Sequence, residues 1–221
     1  MAIIFSDRRE AGRKLARKLR RYRERDDVIV LALPRGGVPV GFEVARALNA
    51  PLDVLVVRKL GVPGDEELAM GAIATAGARV LNREVIEALG IDQHLVDAVT
   101  AKEEKELLRR ERLYRGERAP LDPAGRTVIV VDDGLATGAT MRAAVMALRN
   151  RHPARIVVAV PVGSREICEA MGIVADEAVC ATMPPCFLGV GSWYSNFSQT
   201  SDDEVRALLG ASGLPPPRPG H

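Results

Sequence analysis

Residues 128–140 read Val-Ile-Val-Val-Asp-Asp-Gly-Leu-Ala-Thr-Gly-Ala-Thr, and the order of residue types in this stretch decides the fold. Four β-branched residues, Val128 to Val131, suit a strand buried on both faces. Two adjacent carboxylates, Asp132 and Asp133, follow at once. Small and hydroxyl-bearing residues then run to Thr140, and a helical pattern opens at Met141 and continues to Arg149. The loop's backbone N–H groups and the positive end of that helix can hold a phosphate. Thr137 and Thr140 add hydroxyl donors. The two carboxylates stand beside this cradle, where they can accept hydrogen bonds from sugar hydroxyls. A phosphate at one end and a diol at the other describe a ribose 5-phosphate. No Gly-Lys-Ser/Thr closes the loop, so it is not a Walker A loop.

Working outward, apolar runs alternate with helical patterns. Ser6 or Asp7 can cap a helix over 8–23, whose apolar positions Ala11, Leu15, Ala16 and Leu19 keep helical spacing. Strands are predicted over 27–33, 52–57, 155–162 and 175–181, and helices over 38–48, from Asn82 to Leu89, from Asp92 to about Tyr114, and from Ser201 or Asp202 to Leu209. Residues 72–81 suggest a hairpin turning near Ala76-Gly77. The helix after Asp92 alternates in charge sign, which favours i,i+4 pairing on an exposed face. The alternation implies an α/β fold: a mostly parallel central sheet with helices on both faces. Residues 1–209 read as a single domain, with 60–118 as a candidate mobile loop or cap insertion, and residues 210–221 as a disordered Pro-rich tail.

Ligands of such sheets bind at the carboxyl ends of the strands. Three polar clusters fall at predicted strand ends: Pro34-Arg35-Gly36-Gly37, Arg58-Lys59 and Asp132-Asp133. Gly36 and Gly37 let the backbone approach an anion closely, and Arg35 supplies a fork of donors. Residues 187–197 read Phe-Leu-Gly-Val-Gly-Ser-Trp-Tyr-Ser-Asn-Phe. Phe187, Trp193 and Tyr194 can stack on a flat heterocycle, or can pack the C-terminal segment onto the sheet.

The run at 128–140 resembles the signature of the type I phosphoribosyltransferases, which bind 5-phosphoribosyl-1-pyrophosphate (PRPP). Over about residues 5–209, the motifs at 33–40, 57–64, 132–140 and 190–194 look like a bacterial phosphoribosyltransferase group. The resemblance implies the type I phosphoribosyltransferase fold with a small hood or cap, the hood formed by 182–200. It implies that Asp132 and Asp133 bind the ribose hydroxyls, and that Gly134, Leu135, Ala136, Thr137, Gly138, Ala139 and Thr140 hold the 5-phosphate. Arg35, Gly36, Gly37, Arg58 and Lys59 match residues around the pyrophosphate. The corresponding loop often carries a cis peptide, which points to Pro34–Arg35. Asp132, Asp133, Arg35 and Lys59 are then the catalytic set, with Mg²⁺ as cofactor, held by substrate oxygens and water rather than directly by protein.

The expected partners are PRPP and a small heterocyclic acceptor, in a chain that is often a homodimer in this family. The expected reaction displaces pyrophosphate from C1 by a ring nitrogen. Hypoxanthine-guanine enzymes carry an aspartate at the position of Ala136; its absence makes the loop look more like that of adenine enzymes. Glu66 and Glu67 are the candidates for a general base, or else an acid pair opening a helix. The missing aspartate keeps open a PRPP- or nucleotide-sensing regulator on the same fold; a third reading is hydrolysis of PRPP or a ribonucleotide, with water as the acceptor.

Charge excludes little but favours nothing else. The net charge is +2, from 31 basic and 29 acidic residues, and gives no argument for nucleic acid or membrane. No run approaches the ~20 apolar residues of a membrane span, and no signal peptide is evident, so a cytoplasmic protein is expected. Cys168, Cys180 and Cys186, odd in number and without metal-like spacing, are expected as reduced thiols.

Overall fold

The computed structural model describes residues 5–212. Its centre is a five-stranded sheet of β1 (Val28–Ala32), β2 (Leu52–Val54), β6 (Thr127–Val131), β7 (Arg155–Val162) and β8 (Glu177–Thr182). The order is β2-β1-β6-β7-β8, and every neighbouring pair is parallel. Counted along the chain, these five strands lie 2-1-3-4-5. The order reverses between β1 and β6, and the crevice at that switch point is where doubly wound sheets take ligands.

Residue alternation explains why the sheet is buried on both faces. Val28, Val30, Ala32, Ile129, Val131, Val157 and Ala159 enter one apolar cluster. Ile29, Leu31, Val128, Val130, Ile156, Val158 and Val160 enter the other. The first face is covered by α1 (Arg8–Lys18), α2 (Gly37–Leu48), α4 (Gln93–Arg115) and α7 (Asp202–Ala211). The second is covered by α5 (Ala139–Arg149) and α6 (Arg165–Val174). Each fully buried Val, Leu or Ile contributes about 1.5–3 kcal/mol, so these two layers carry the fold.

Most predicted boundaries hold within a few residues, and the departures have physical causes. The first helix stops at Lys18, and Arg20–Tyr22 adds one tighter turn. The helix α6 is not foreseen by periodicity; Ser164 caps it, its hydroxyl accepting from the Ile167 N–H at 3.2 Å. The predicted strand 52–57 splits. β2 ends at Val54, and β3 (Val57–Val62) joins β4 (Asp65–Ala74) and β5 (Ala78–Leu81) in a separate antiparallel sheet. The 72–81 hairpin is therefore real, but Asp65, Glu66 and Glu67 lie in a strand rather than opening a helix; the side chains of Glu66 and Glu67 lie outside the described set. Of the predicted tail, Gly210 and Ala211 close α7, and 213–221 lie outside the described residues.

The short helix α3 (Arg83–Ala88) and α4 start where expected, and the Asn82 amide oxygen and the Asp92 carboxylate cap them. The cysteine expectation is corrected. Cys168 on α6 and Cys180 on β8 form a disulfide with Cα atoms 6.3 Å apart, and Cys186 is free and exposed. An odd cysteine count could not show that these neighbouring elements bring two of the three together. Among the described residues, no helix is long and apolar enough to cross a membrane.

A buried ion pair ties α4 to the parallel sheet. Arg115 donates through Nε to both Asp53 oxygens at 3.1 Å and through Nη2 to the Val54 carbonyl at 3.1 Å. Asp53 also accepts from the N–H groups of Val54 and Leu121. Arg115→Ala would leave that carboxylate buried beside two amides with no cation. We expect a loss of about 3–5 kcal/mol in urea unfolding.

Candidate active site at the sheet switch point

β1 and β6 end level, Ala32 paired with Val131, so the loops that follow them meet. After β1 comes Pro34–Gly36, with the Pro34–Arg35 peptide cis. After β6 come Asp132 and Asp133. The contact between the two loops is as close as main chain and carboxylate allow. A Cβ on Gly36 would fall on the Asp133 carboxylate, 2.7 Å from its Cγ. A Cβ on Gly37 would lie 2.7 Å from the Val131 carbonyl oxygen and 3.0 Å from the Asp132 Cα. The predicted pyrophosphate loop and ribose pair thus form one site.

The acidic pair is electrostatically loaded. Burial, and then the neighbouring Asp133 charge, push the Asp132 carboxyl well above the ordinary carboxylate range. Burial also raises Asp133, while Arg8 works against that rise. Arg8 Nε donates to Asp133 Oδ2 at 2.8 Å, and Asp132 Oδ1 accepts from the Asp133 N–H at 2.8 Å. A site that concentrates negative charge in this way is poised for hydroxyl donors or for positive charge on a ligand.

Beyond the pair, the loop is pinned and then opens. The Leu135 N–H donates to the Val162 carbonyl at 2.9 Å, and Leu135 bridges to Gly163 at the end of β7. Gly138 takes φ +74° at the N-terminus of α5, where a side chain would be strained and would meet Ile167 on α6 at 2.9 Å. Ala136, Thr137, Ala139 and Thr140 are exposed around the start of α5. The first-turn N–H groups of that helix have no intrahelical partner, so the rim offers donors to an anion. Gly134 is covered: a Cβ there would sit 2.6 Å from a Val190 methyl.

The remaining predicted residues divide. Arg35 Nη1 lies 3.8 Å from Asp202 Oδ1, on the rim of a cavity of about 360 Å³ formed with Gln199, Thr200 and Ser201 at the start of α7. Arg58 and Lys59 do not end a parallel strand. They lie within β3, opposite Ile73 and Ala72. Arg58 Nε donates to Glu103 Oε2 on α4 at 2.7 Å, so its charge is turned to α4 rather than to the acidic pair.

Trp193 and Tyr194 are 8% and 5% exposed and pack with Phe5, Ala11 and Val162. Their rings are thus taken up by packing, the alternative that the sequence leaves open. Phe187 only lines this cluster, and Leu188 beside it is 78% exposed. The Tyr194 hydroxyl donates to the Asp133 carbonyl oxygen at 2.6 Å. Burial and the Asp133 charge raise its pKa, so it stays protonated as a donor.

Two residues escaped the sequence reading. Arg8, 125 positions from Asp133, is found by no local motif. Val190 lies inside a quoted segment, but its seat on Gly134 depends on the fold.

Rv0571c of Mycobacterium tuberculosis, named for phosphoribosyl transfer, is 50% identical over 206 residues, covering 93% of this chain and 46% of that protein. The chain therefore spans about half the length of that relative. The Bifunctional protein PyrR of Deinococcus radiodurans is 30% identical over 145 residues, covering 62% of this chain and 78% of that protein. The crystal structure of TT1426 from Thermus thermophilus matches with a TM-score of 0.84 at 41% identity, covering 93% of this chain and 97% of that one. The model of the phosphoribosyl transferase domain matches residues 6–181, a span that begins before Arg8 and takes in both switch-point loops. With a mostly parallel sheet, a small antiparallel sheet beside it and that match across most of its length, the chain belongs to the phosphoribosyl transferase domain family and has the type I fold.

Proposed function

We propose that this protein transfers the phosphoribosyl group of PRPP to a nucleobase-like heterocycle and releases pyrophosphate. The observation that carries the reading is the contact of Gly36 and Gly37 with Asp133 and Asp132, which brings a glycine loop suited to an anion against a carboxylate pair suited to a diol. Asp132 and Asp133 accept the ribose hydroxyls and favour positive charge at C1 as the leaving group departs. The 5-phosphate lies on the donors from Gly134 to Thr140. The pyrophosphate lies against Arg35, Gly36 and Gly37, with Lys59 as a further cation from β3.

Bound Mg²⁺ would supply charge neutralisation at the leaving pyrophosphate, held by the substrate's own oxygens and water. The residues present fit that role: Asp132 and Asp133 abut the Gly36–Gly37 loop, where their oxygens could hold the water shell of such an ion. Phe187, only partly buried against the Trp193–Tyr194 cluster, is the stacking candidate for the acceptor. We place the protein in the cytoplasm, where PRPP is made.

The test is pyrophosphate release from Mg²⁺-PRPP, with and without a panel of free bases. Release that depends on one base is expected and would name the acceptor. Base-independent release would instead make the protein a hydrolase. Trp193 is the single tryptophan and sits behind the Asp133–Tyr194 contact, so its fluorescence reports binding separately from turnover. Binding without release from any base would favour a sensor.

A further inference from the structure

Arg8 is held at the acidic pair from three sides. Its Nε donates to Asp133 Oδ2 at 2.8 Å, its Nη1 donates to the Ser198 carbonyl at 2.6 Å, and its guanidinium lies 4.0 Å from the centroid of the Phe197 ring. The side chain is 11% exposed. The backbone on either side is fixed as well. Asp7 caps α1 by accepting from the Glu10 N–H at 2.7 Å, which makes Arg8 the first helical residue. Phe5 and Ser6 pair with the C-terminal segment through Phe5 N–H to Trp193 O, Ser195 N–H to Phe5 O and Asn196 N–H to Ser6 O, at 2.9–3.1 Å. That same segment sends the Tyr194 hydroxyl to the Asp133 carbonyl. Residues 5–8 and 193–198 thus form a clasp that grips Asp133 at its carboxylate and at its backbone.

We propose that Arg8 is a positioning residue for the phosphoribosyl site: it turns the Asp133 carboxylate so that its unbonded oxygen faces the ribose hydroxyls. This rests on the PRPP reading above. A carboxylate has about four acceptor positions, and Arg8 uses one, so Oδ1 is left to accept from a diol. A guanidinium suits the task because it is planar and always charged, and it can stack on Phe197 while donating in its own plane. The charged or titratable groups facing Asp133 are Arg8 from α1, Asp132 from its own loop and Tyr194 from the C-terminal segment. The loop carrying Gly36 brings no charge at the point of contact. Arg8 is therefore the one cation among these groups, and it works against the rise that burial imposes on the Asp133 carboxyl.

The experiment uses the full chain with Arg8→Met and Arg8→Lys, and reads two quantities against pH. These are the ¹³C carboxyl titration of Asp133 in ligand-free protein and the Kd of Mg²⁺-PRPP from Trp193 fluorescence. In Arg8→Met we expect Asp133 to titrate at higher pH and the acid limb of binding to move the same way. Kd should rise about ten- to a hundredfold, the effect of losing a hydrogen bond to a charged group. Arg8→Lys should restore the titration but only part of the affinity, because the charge returns without the planar stack.

A residue that merely supported folding would lower the melting temperature and leave both pH curves in place; that result, with wild-type Kd, overturns the proposal. Arg8→Gln carries the same test if the Met variant does not fold. Failure of the wild-type protein to bind PRPP would strike the phosphoribosyl reading, and the Arg8 role with it. Normal wild-type binding with an indifferent Arg8 variant strikes the Arg8 role alone.

Discussion

Asp132→Asn is expected to give a protein that melts at higher temperature and has lost PRPP turnover. The sign follows from the environment. Burial and the neighbouring Asp133 raise the Asp132 pKa well above its ordinary 3.8. An acid with a raised folded-state pKa binds more protons folded than unfolded between the two values, so the fold loses stability as pH rises through that window. The wild-type chain carries a penalty that grows as pH rises above the ordinary carboxylate range. Asparagine removes the charge and keeps an oxygen for the Asp133 N–H that Asp132 Oδ1 accepts at 2.8 Å. For a domain of this size, each kcal/mol recovered raises Tm by about 2–4 °C. The catalytic cost runs the other way: losing a carboxylate placed for charge that develops at C1 should lower kcat/KM at least ~10²-fold.

Asp133→Asn is expected to lose activity too, but with the opposite thermal sign. Its carboxylate is the ion-pair partner of Arg8, whose side chain is 11% exposed; asparagine keeps an oxygen for Arg8 Nε but leaves a mostly buried guanidinium without its counter-charge, at a cost of about 1–3 kcal/mol. Thermal scans from pH 4 to 8, beside pyrophosphate release, check both. Two variants that shift Tm in the same direction and keep turnover would remove the acidic pair from the site.

The parts of this molecule that sequence made legible are those set by local order. Val128–Val131, the acidic pair and the small-residue loop fix strand, turn and helix by residue type alone, and the structure places them so. The helix starts at Asn82, at Asp92 and at Ser201 or Asp202 were readable because a short polar side chain before a helical pattern has few other uses, and the structure settles the last cap on Ser201. Legibility ended where distance in sequence took over. Arg58 and Lys59 looked like the end of a parallel strand, since nothing in Leu52–Val57 marks the break after Val54. Helix α6 was hidden because its apolar positions run short, and Gly172 interrupts them. Arg8 reads as one more basic residue on a basic helix, and only the pairing of Phe5 and Ser6 with residues 193–196 makes it part of the site. Trp193 and Tyr194 could be read as stacking or as packing, and burial favours packing.

The second large effect is expected at the two glycines, and each should fail differently. Gly36 has φ −60° and ψ −32°, a conformation open to any residue. Gly37 opens α2, where alanine is the better helix former by about 1 kcal/mol. Local propensity therefore predicts that alanine is harmless or helpful at both. Close approach reverses this. In Gly36→Ala the new methyl lands on the Asp133 carboxylate, which can yield only by breaking its 2.8 Å pair with Arg8. We expect PRPP binding to weaken at least ~10²-fold with a modest fall in Tm, since the atom displaced is a side-chain end serving ligand and Arg8 together.

In Gly37→Ala the methyl meets main chain, the Val131 carbonyl at 2.7 Å, and that cannot swing aside. α2 must back away from the sheet, at about the 1–3 kcal/mol of an overpacked core, seen as a lower urea midpoint. Gly125→Ala separates these effects from simple backbone strain. Gly125 has φ +67° with nothing within 4 Å of a Cβ, and it precedes β6 at the end of the sheet away from the crevice. Alanine there should cost stability and leave PRPP affinity unchanged. If Gly36→Ala behaves like Gly125→Ala, the contact between the two loops is only packing, and the geometric ground for the proposed activity is gone.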